Sequence, residues 1–196
     1  MESRHTPDAL ERLQAGHDAM RRLLAGARAR ATATPRGDAP AQLAPADHAL
    51  KEVLPELRRQ FDRLARLECG MLHPALERAG GDEAALGHAR AGHEIHCRLL
   101  DEAEQLARED PGVDGGEDGE GRYRHAFEAL AERLLHHMDM VEELLFPMAR
   151  RLDVDLVALG RRMARPPPAQ DSPPAATCAD DGRLDIGTGE DRSPKL

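Results

Sequence analysis

Histidine and glutamate side chains occur in this sequence at positions where a helix would direct them into a protein core. A late segment places Leu134, Val141 and Leu145 along one helical face, and His137 lies in the middle of that apolar stripe. An imidazole in a core must be hydrogen-bonded or bound to a metal, because a bare polar group there costs about 1–3 kcal/mol. His137 is therefore a candidate for a buried chemical site.

Three other segments with helical periodicity carry one such residue each. The four mid-stripe candidates are His17, Glu68, His93 and His137. Glu68 is the most telling of them, because acidic side chains are almost never fully buried unless they are paired. Bundles build metal sites from inward-facing side chains on facing helices, and imidazole with carboxylate suits iron, zinc, copper or manganese. Spacing alone leaves a metal site and a hydrogen-bonded core network as equal alternatives.

Composition limits the class of protein that can carry such a site. The 196 residues suffice for one domain with a core, and helix-forming residues abound, which predicts an all-α fold. The net charge of −9 argues against a nucleic-acid surface, and no apolar stretch is long enough to predict a membrane span. Three cysteines without a CxxC pattern indicate neither a zinc knuckle nor a disulfide framework. With no apolar leader segment, we expect a reducing, cytoplasmic location.

Periodicity and loop composition predict the elements that position the candidates. We expect long helices at about 8–31, 47–79, 82–109 and 122–152, with Asp8 as an N-cap, and a short helix at about 155–164. Pro147 should bend the fourth helix, and Pro55 marks a false start or kink in the second. The predicted fold is an antiparallel, up-down-up-down four-helix bundle. It spans residues 8–164, between a flexible N-terminus (1–7) and a disordered, proline-rich tail (165–196).

In their order along the chain, these residues resemble the hemerythrin-like (HHE cation-binding) domain family over about residues 8–152. His17 looks like the histidine of the family's first helix, and Glu68, six residues before Pro74, looks like the carboxylate of its second. The run 92–96 (Gly-His-Glu-Ile-His) looks like the motif of the third helix. His137, ten residues before the proline of Leu-Phe-Pro, looks like the histidine of the fourth.

The sequence also departs from the family pattern. Leu64 stands where the second helix should carry a histidine, and Val141 stands where the fourth most often carries a glutamate. Glu142, at the five-residue spacing from His137, is the candidate substitute carboxylate. His73 replaces the phenylalanine that usually precedes Pro74, and the earlier histidine of the third helix would fall at alanine 89. The ligand set that the resemblance implies is His17, Glu68, His93, His137 and Glu142.

His96 lies at the edge of its stripe and has three interpretations. It is a ligand, a group that hydrogen-bonds to a ligand, or simply a residue on the shoulder of the stripe. The last interpretation is favoured.

The resemblance implies a metal-binding protein rather than an enzyme. The expected cofactor is non-haem iron, as one ion or two, with another transition metal as an alternative. The expected role is binding or sensing of iron, O2, NO or peroxide, and peroxide or NO chemistry at the metal stays open. We expect a metal ion and a small diatomic ligand as partners, without nucleic acid or membrane.

The alternative is a degenerate bundle without metal that acts as an interaction or structural module, with Glu68 paired to a protonated histidine. Leu64 and Val141 favour it.

Overall fold

A computed structural model describes residues 6–32, 45–108 and 118–165, and every regular element within these ranges is helical. The all-α prediction is therefore confirmed. The predicted tail after residue 165, and residues 1–5 of the predicted flexible N-terminus, lie outside the described residues. The helices are α1 (Ala9–Thr32), α2 (Pro45–Leu67), α3 (His73–Arg78), α4 (Glu83–Arg108), α5 (Asp118–Met140), α6 (Phe146–Arg151) and α7 (Leu156–Met163). Two π-helical turns join them, Glu68–Leu72 between α2 and α3 and Val141–Leu145 between α5 and α6.

Aspartates begin three of these helices. The Glu11 backbone N–H donates to Oδ1 of Asp8 at 2.9 Å, and the Asp8 N–H donates back to Oε2 of Glu11 at 2.8 Å. This reciprocal pair satisfies backbone donors that a helix N-terminus leaves without partners, so the predicted N-cap at Asp8 is confirmed. Asp82 caps α4 and Asp155 caps α7 in the same way, each accepting from a backbone N–H three residues later.

The two π turns were not predicted from the sequence, which indicated continuous helices with a bend at Pro147. In the first turn the His73 N–H donates to the Glu68 carbonyl, and in the second the Phe146 N–H donates to the Val141 carbonyl. A proline follows each turn, at 74 and 147. A proline ring clashes with the carbonyl four residues earlier in a regular helix, and a wider turn relieves that clash. Pro55, in contrast, lies inside α2 without ending it.

The helices pack in pairs around one apolar core. α1 contacts α2 along its length, α4 contacts α5, and α2 also contacts both α4 and α5. α7 packs on α1 and on the first π turn. The core between these helices includes the fully buried side chains Leu13, Leu57, Leu100, Phe127 and Leu130. Among the described residues, no helix is both long and apolar enough to cross a membrane.

The contact between α7 and the start of α1 is close enough to test by adding one methyl group. A Cβ at Gly160 would lie 2.6 Å from the Asp8 carbonyl carbon and 2.8 Å from the Ala9 nitrogen, both backbone atoms. Gly160→Ala is therefore expected to lower the free energy of unfolding by about 1–3 kcal/mol. Gly26→Ala in α1, where a Cβ would meet nothing within 4 Å, is the control and is expected to stabilise by about 0.5–1 kcal/mol. Urea unfolding measures both, and equal stability of Gly160→Ala and wild type would contradict this packing.

Candidate metal centre

A single buried carboxylate, that of Glu68, is the point where four of the predicted site residues meet. Its Oε1 lies 2.9 Å from Nε2 of His17. Its Oε2 lies 2.9 Å from Nε2 of His93 and 3.1 Å from Nε2 of His137. α1, α4 and α5 each supply one imidazole, and Glu68 itself is the first residue of the first π turn. The structure thus brings the four mid-stripe residues together.

These four side chains are almost inaccessible to solvent. The exposed fractions are 0% for His17, 1% for Glu68, 2% for His93 and 6% for His137. The rings of His93 and His137 meet edge to face, with their centroids 4.5 Å apart. Phe146, which follows the second π turn, stacks on His17 with centroids 6.0 Å apart and planes 10° from parallel. The donors therefore sit in a buried, ring-lined space, where electrostatic interactions are strong.

The contacts with imidazole decide the charge state of the carboxylate. Burial alone would raise the pKa of Glu68, but hydrogen bonds with His137, His17 and His93 hold that pKa well below its usual range. Burial lowers the pKa of His17, yet hydrogen bonds to Glu68 and Glu142 outweigh burial and raise it. Burial dominates at His137 and lowers its pKa. Glu68 is thus an anion in its buried position, which is the form that binds a metal.

Glu142 contacts the other ring nitrogen of His17. Its Oε1 lies 2.7 Å from Nδ1 of His17 and accepts hydrogen bonds from Arg21 at 2.7 Å and Gln14 at 3.0 Å. Burial raises the pKa of Glu142, but the contacts with Arg21, His17 and Gln14 outweigh burial and lower it. Arg21 also donates to Asp139 at 2.7 Å, which connects α1 to the end of α5. The Glu142 carboxylate therefore contacts Nδ1 of His17, on the side of the ring away from Glu68, and Nε2 of His17 contacts Glu68.

His73 is a buried member of the cluster that sequence reasoning missed. It is 0% exposed, and Glu68, His73 and His93 each offer one potential ligand atom within 4.8 Å of the other two. Burial lowers the pKa of His73 to about 4, so its ring is neutral. Five residues of regular helix rotate about 500°, which would place His73 about 140° away from Glu68. Only the π turn brings them together, and no feature of the sequence predicted that turn.

His96, which was expected on the shoulder of its stripe, is buried, with 3% of its surface exposed. Its ring centroid lies 5.0 Å from that of His137. Burial lowers the pKa of His96 to about 3, partly offset by a hydrogen bond with the backbone of Arg133. His96 thus packs beside the cluster as a neutral ring that is tied to α5.

A cleft of about 180 Å³ between α4 and α5 reaches the cluster from the surface. His88 and His136 line its exposed side, and His96 and His137 line its deep side. Gly92 makes room for His137, because a Cβ there would lie 3.0 Å from Nδ1 of that ring. A small molecule can therefore approach His137 from solvent.

The two residues at which the sequence departs from the family pattern are core residues. Leu64 is 5% exposed and lies against Gly16, where a Cβ would come 2.6 Å from its Cδ2 atom. Val141 is 0% exposed and begins the second π turn. Neither side chain offers a ligand atom, so the cluster takes its donors from other positions.

The family model of the hemerythrin HHE cation binding domain matches residues 8–149. Because this match covers more than half of the chain, the protein belongs to the hemerythrin HHE cation-binding domain family. Neither the search of curated proteins nor the search of solved structures found a match. Membership in a cation-binding family and a buried cluster of imidazole and carboxylate both indicate that the domain binds a cation.

Proposed function

We propose that this protein is an antiparallel, up-down-up-down four-helix bundle of the hemerythrin type that binds non-haem iron at the Glu68 cluster. The observation that carries the proposal is the convergence of three imidazoles from three helices within 3.1 Å of one buried carboxylate. Such a set suits iron and its neighbours in the transition series. Nδ1 of His93 is buried and has no hydrogen-bond partner in the described part of the chain, so this nitrogen is also free to bind a metal.

His17, Glu68, His93 and His137 would hold the metal. When bound, iron supplies a Lewis-acidic and redox-active centre that can take up small ligands. Glu142 accepts a hydrogen bond from Nδ1 of His17 and thereby fixes the ring with Nε2 toward the cluster, as carboxylates behind metal-bound histidines commonly do. Its role as a ligand stays a prediction from the sequence. We propose one ion rather than two, because the imidazoles converge on a single carboxylate.

The size of the cleft supports a small ligand. Pockets for drug-sized molecules enclose about 300–1,000 Å³, whereas the cleft beside His137 holds about 180 Å³. We therefore propose that the protein binds or senses iron itself, O2, NO or peroxide, rather than converting a larger organic substrate. Its cytoplasmic location stays a prediction from the sequence.

A metal-free interaction or structural module is the second candidate function. The observation in its favour is that Glu68 already pairs with three histidines without a metal. A buried carboxylate that is paired in this way can persist as part of a core network.

Metal content and thermal stability together decide between the two functions. We expect full-length protein from iron-supplemented medium to retain iron, measured by mass spectrometry of the metal. Removing it with a chelator should lower Tm by about 5–10 °C, because binding at 100 times Kd adds about 2.7 kcal/mol to the folded state. Metal-free protein whose Tm does not respond to iron or chelator would establish the second candidate.

The histidines of α4 and α5 provide matched variants. The double variant His93→Ala with His137→Ala is expected to lose bound iron. The control, His88→Ala with His136→Ala, removes exposed histidines from the same two helices and should retain it. Equal metal content in the two double variants would place the iron elsewhere.

A further inference from the structure

We propose that His73 is an additional metal ligand that acts with Glu68 and His93, an inference that rests on the proposed metal-binding function. His73 lies outside the positions that the family motif assigns to ligands. It stands immediately before Pro74, as Phe146 stands immediately before Pro147.

The His73 ring is buried without a polar partner in the described part of the chain. His73 is 0% exposed, and neither of its ring nitrogens has a hydrogen-bond partner among the described residues. A buried hydrogen-bond donor or acceptor that has no partner costs about 1–3 kcal/mol. The neutral imidazole ring has one N–H donor and one accepting nitrogen, and both lack a partner in the described structure. An apolar ring of similar size would avoid that cost. A metal ion is the partner that a neutral, buried imidazole in this position lacks.

His73 lies close enough to Glu68 and His93 to share an ion with them. The ligand atoms of Glu68, His73 and His93 lie within 4.8 Å of one another. Two ligands of one ion, each about 2.0–2.2 Å from it, are at most about 4.4 Å apart, so small rotations of the side chains suffice. The ring centroids of His73 and His93 are 6.1 Å apart, which leaves space between them.

The two π turns differ in the aromatic residue that follows them. Each turn is followed by an aromatic ring and then a proline, His73-Pro74 after the first and Phe146-Pro147 after the second. Phe146 is buried and stacks on His17, as an apolar side chain should. His73 is buried to a similar degree, yet it is polar. The imidazole that the second helix lacks at Leu64, four residues before Glu68, is thus available five residues after it.

His73→Phe tests this assignment, because it keeps an aromatic ring, as in the second turn, and removes only the nitrogens. We expect the metal-free variant to melt at or above the Tm of the metal-free wild type. We expect its Kd for Fe²⁺, measured by competition with a chelator, to rise at least tenfold. X-ray absorption of the iron-loaded protein should show one imidazole fewer. His125→Phe, the same change at an exposed position of α5 outside the cleft, is the control and should bind as wild type does.

The outcomes separate the two proposals. Wild-type protein that binds no metal overturns the proposed function. Wild type that binds iron, with unchanged affinity and unchanged imidazole count in His73→Phe, overturns the assignment of His73 alone. Should His73→Phe fail to fold, the ring nitrogens of His73 are measured in wild-type protein loaded with Zn²⁺ by long-range ¹H–¹⁵N NMR. A metal-induced shift of one His73 nitrogen supports the assignment, and unshifted nitrogens reject it.

Discussion

Glu68→Gln is expected to reduce bound iron to the background level and to destabilise the metal-free protein by about 3–5 kcal/mol. Glutamine keeps the shape of the side chain but has no charge and only one accepting oxygen. Three imidazole nitrogens now contact the two carboxylate oxygens at 2.9–3.1 Å. At least one imidazole N–H would therefore face the amide NH2 group, and a buried, protonated His17 would lose the anion that raises its pKa. Metal analysis and urea unfolding of chelated protein measure the two effects separately.

The control for this substitution is Glu143→Gln, which removes the same charge from an exposed position on the second π turn. It should leave both metal content and stability close to wild type. If Glu68→Gln retained stoichiometric iron, the metal would have to lie away from Glu68. If it lost iron without destabilising the metal-free protein, the three histidine contacts would contribute nothing to the core.

Phe61→Ala is expected to destabilise the protein by about 3–5 kcal/mol and to weaken iron binding by about tenfold. Phe61 is 2% exposed, and its ring centroid lies 5.8 Å from that of His93 and 6.0 Å from that of His96. Removing the ring leaves a cavity beside both imidazoles. His93 then lacks the packing contact that fixes its orientation, and water can enter near the Glu68 carboxylate. Chelator competition gives the change in Kd, and urea unfolding gives the change in stability.

Phe127→Ala is the control that separates the effect of packing around His93 on iron binding from the effect of overall stability. Phe127 is 0% exposed in α5, ten residues and thus about 15 Å along the helix from His137. We expect the same loss of stability as for Phe61→Ala but a Kd for iron within about twofold of wild type. Equal weakening of iron binding by both variants would mean that affinity follows overall stability, not the packing around His93.

Much of the fold follows from local patterns in the sequence. The apolar period of about 100° per residue places His17 and His137 on buried faces, and the structure buries both. Asp8 begins α1 because its side chain and that of Glu11 satisfy each other's backbone donors, which is a purely local effect. The meeting of Glu68 with three histidines was expected because each lies in mid-stripe, and stripes on packed helices face a common core.

The rest depends on interactions that one helix cannot reveal. A straight helix places His73 on the opposite side from Glu68, so its burial in the cluster could not be expected without the π turn. Likewise, the spacing of Glu142 from His137 could not show that Arg21 and Gln14 on α1 donate hydrogen bonds to its carboxylate. The contacts of Glu142 depend on α1 lying beside the second π turn, a tertiary arrangement that no local period encodes.

The widened turns at Glu68–Leu72 and Val141–Leu145 each act as a one-residue insertion within a helix. An insertion of this kind rotates everything that follows by about 100° relative to an uninterrupted helix. Spacing rules of the His-x3-Glu kind therefore hold only on the N-terminal side of each insertion. Downstream of it, the direction of a side chain can no longer be predicted by counting residues from the preceding helix. His73 and Phe146 each directly follow such a turn and both are buried, although the first side chain is an imidazole and the second a phenyl ring.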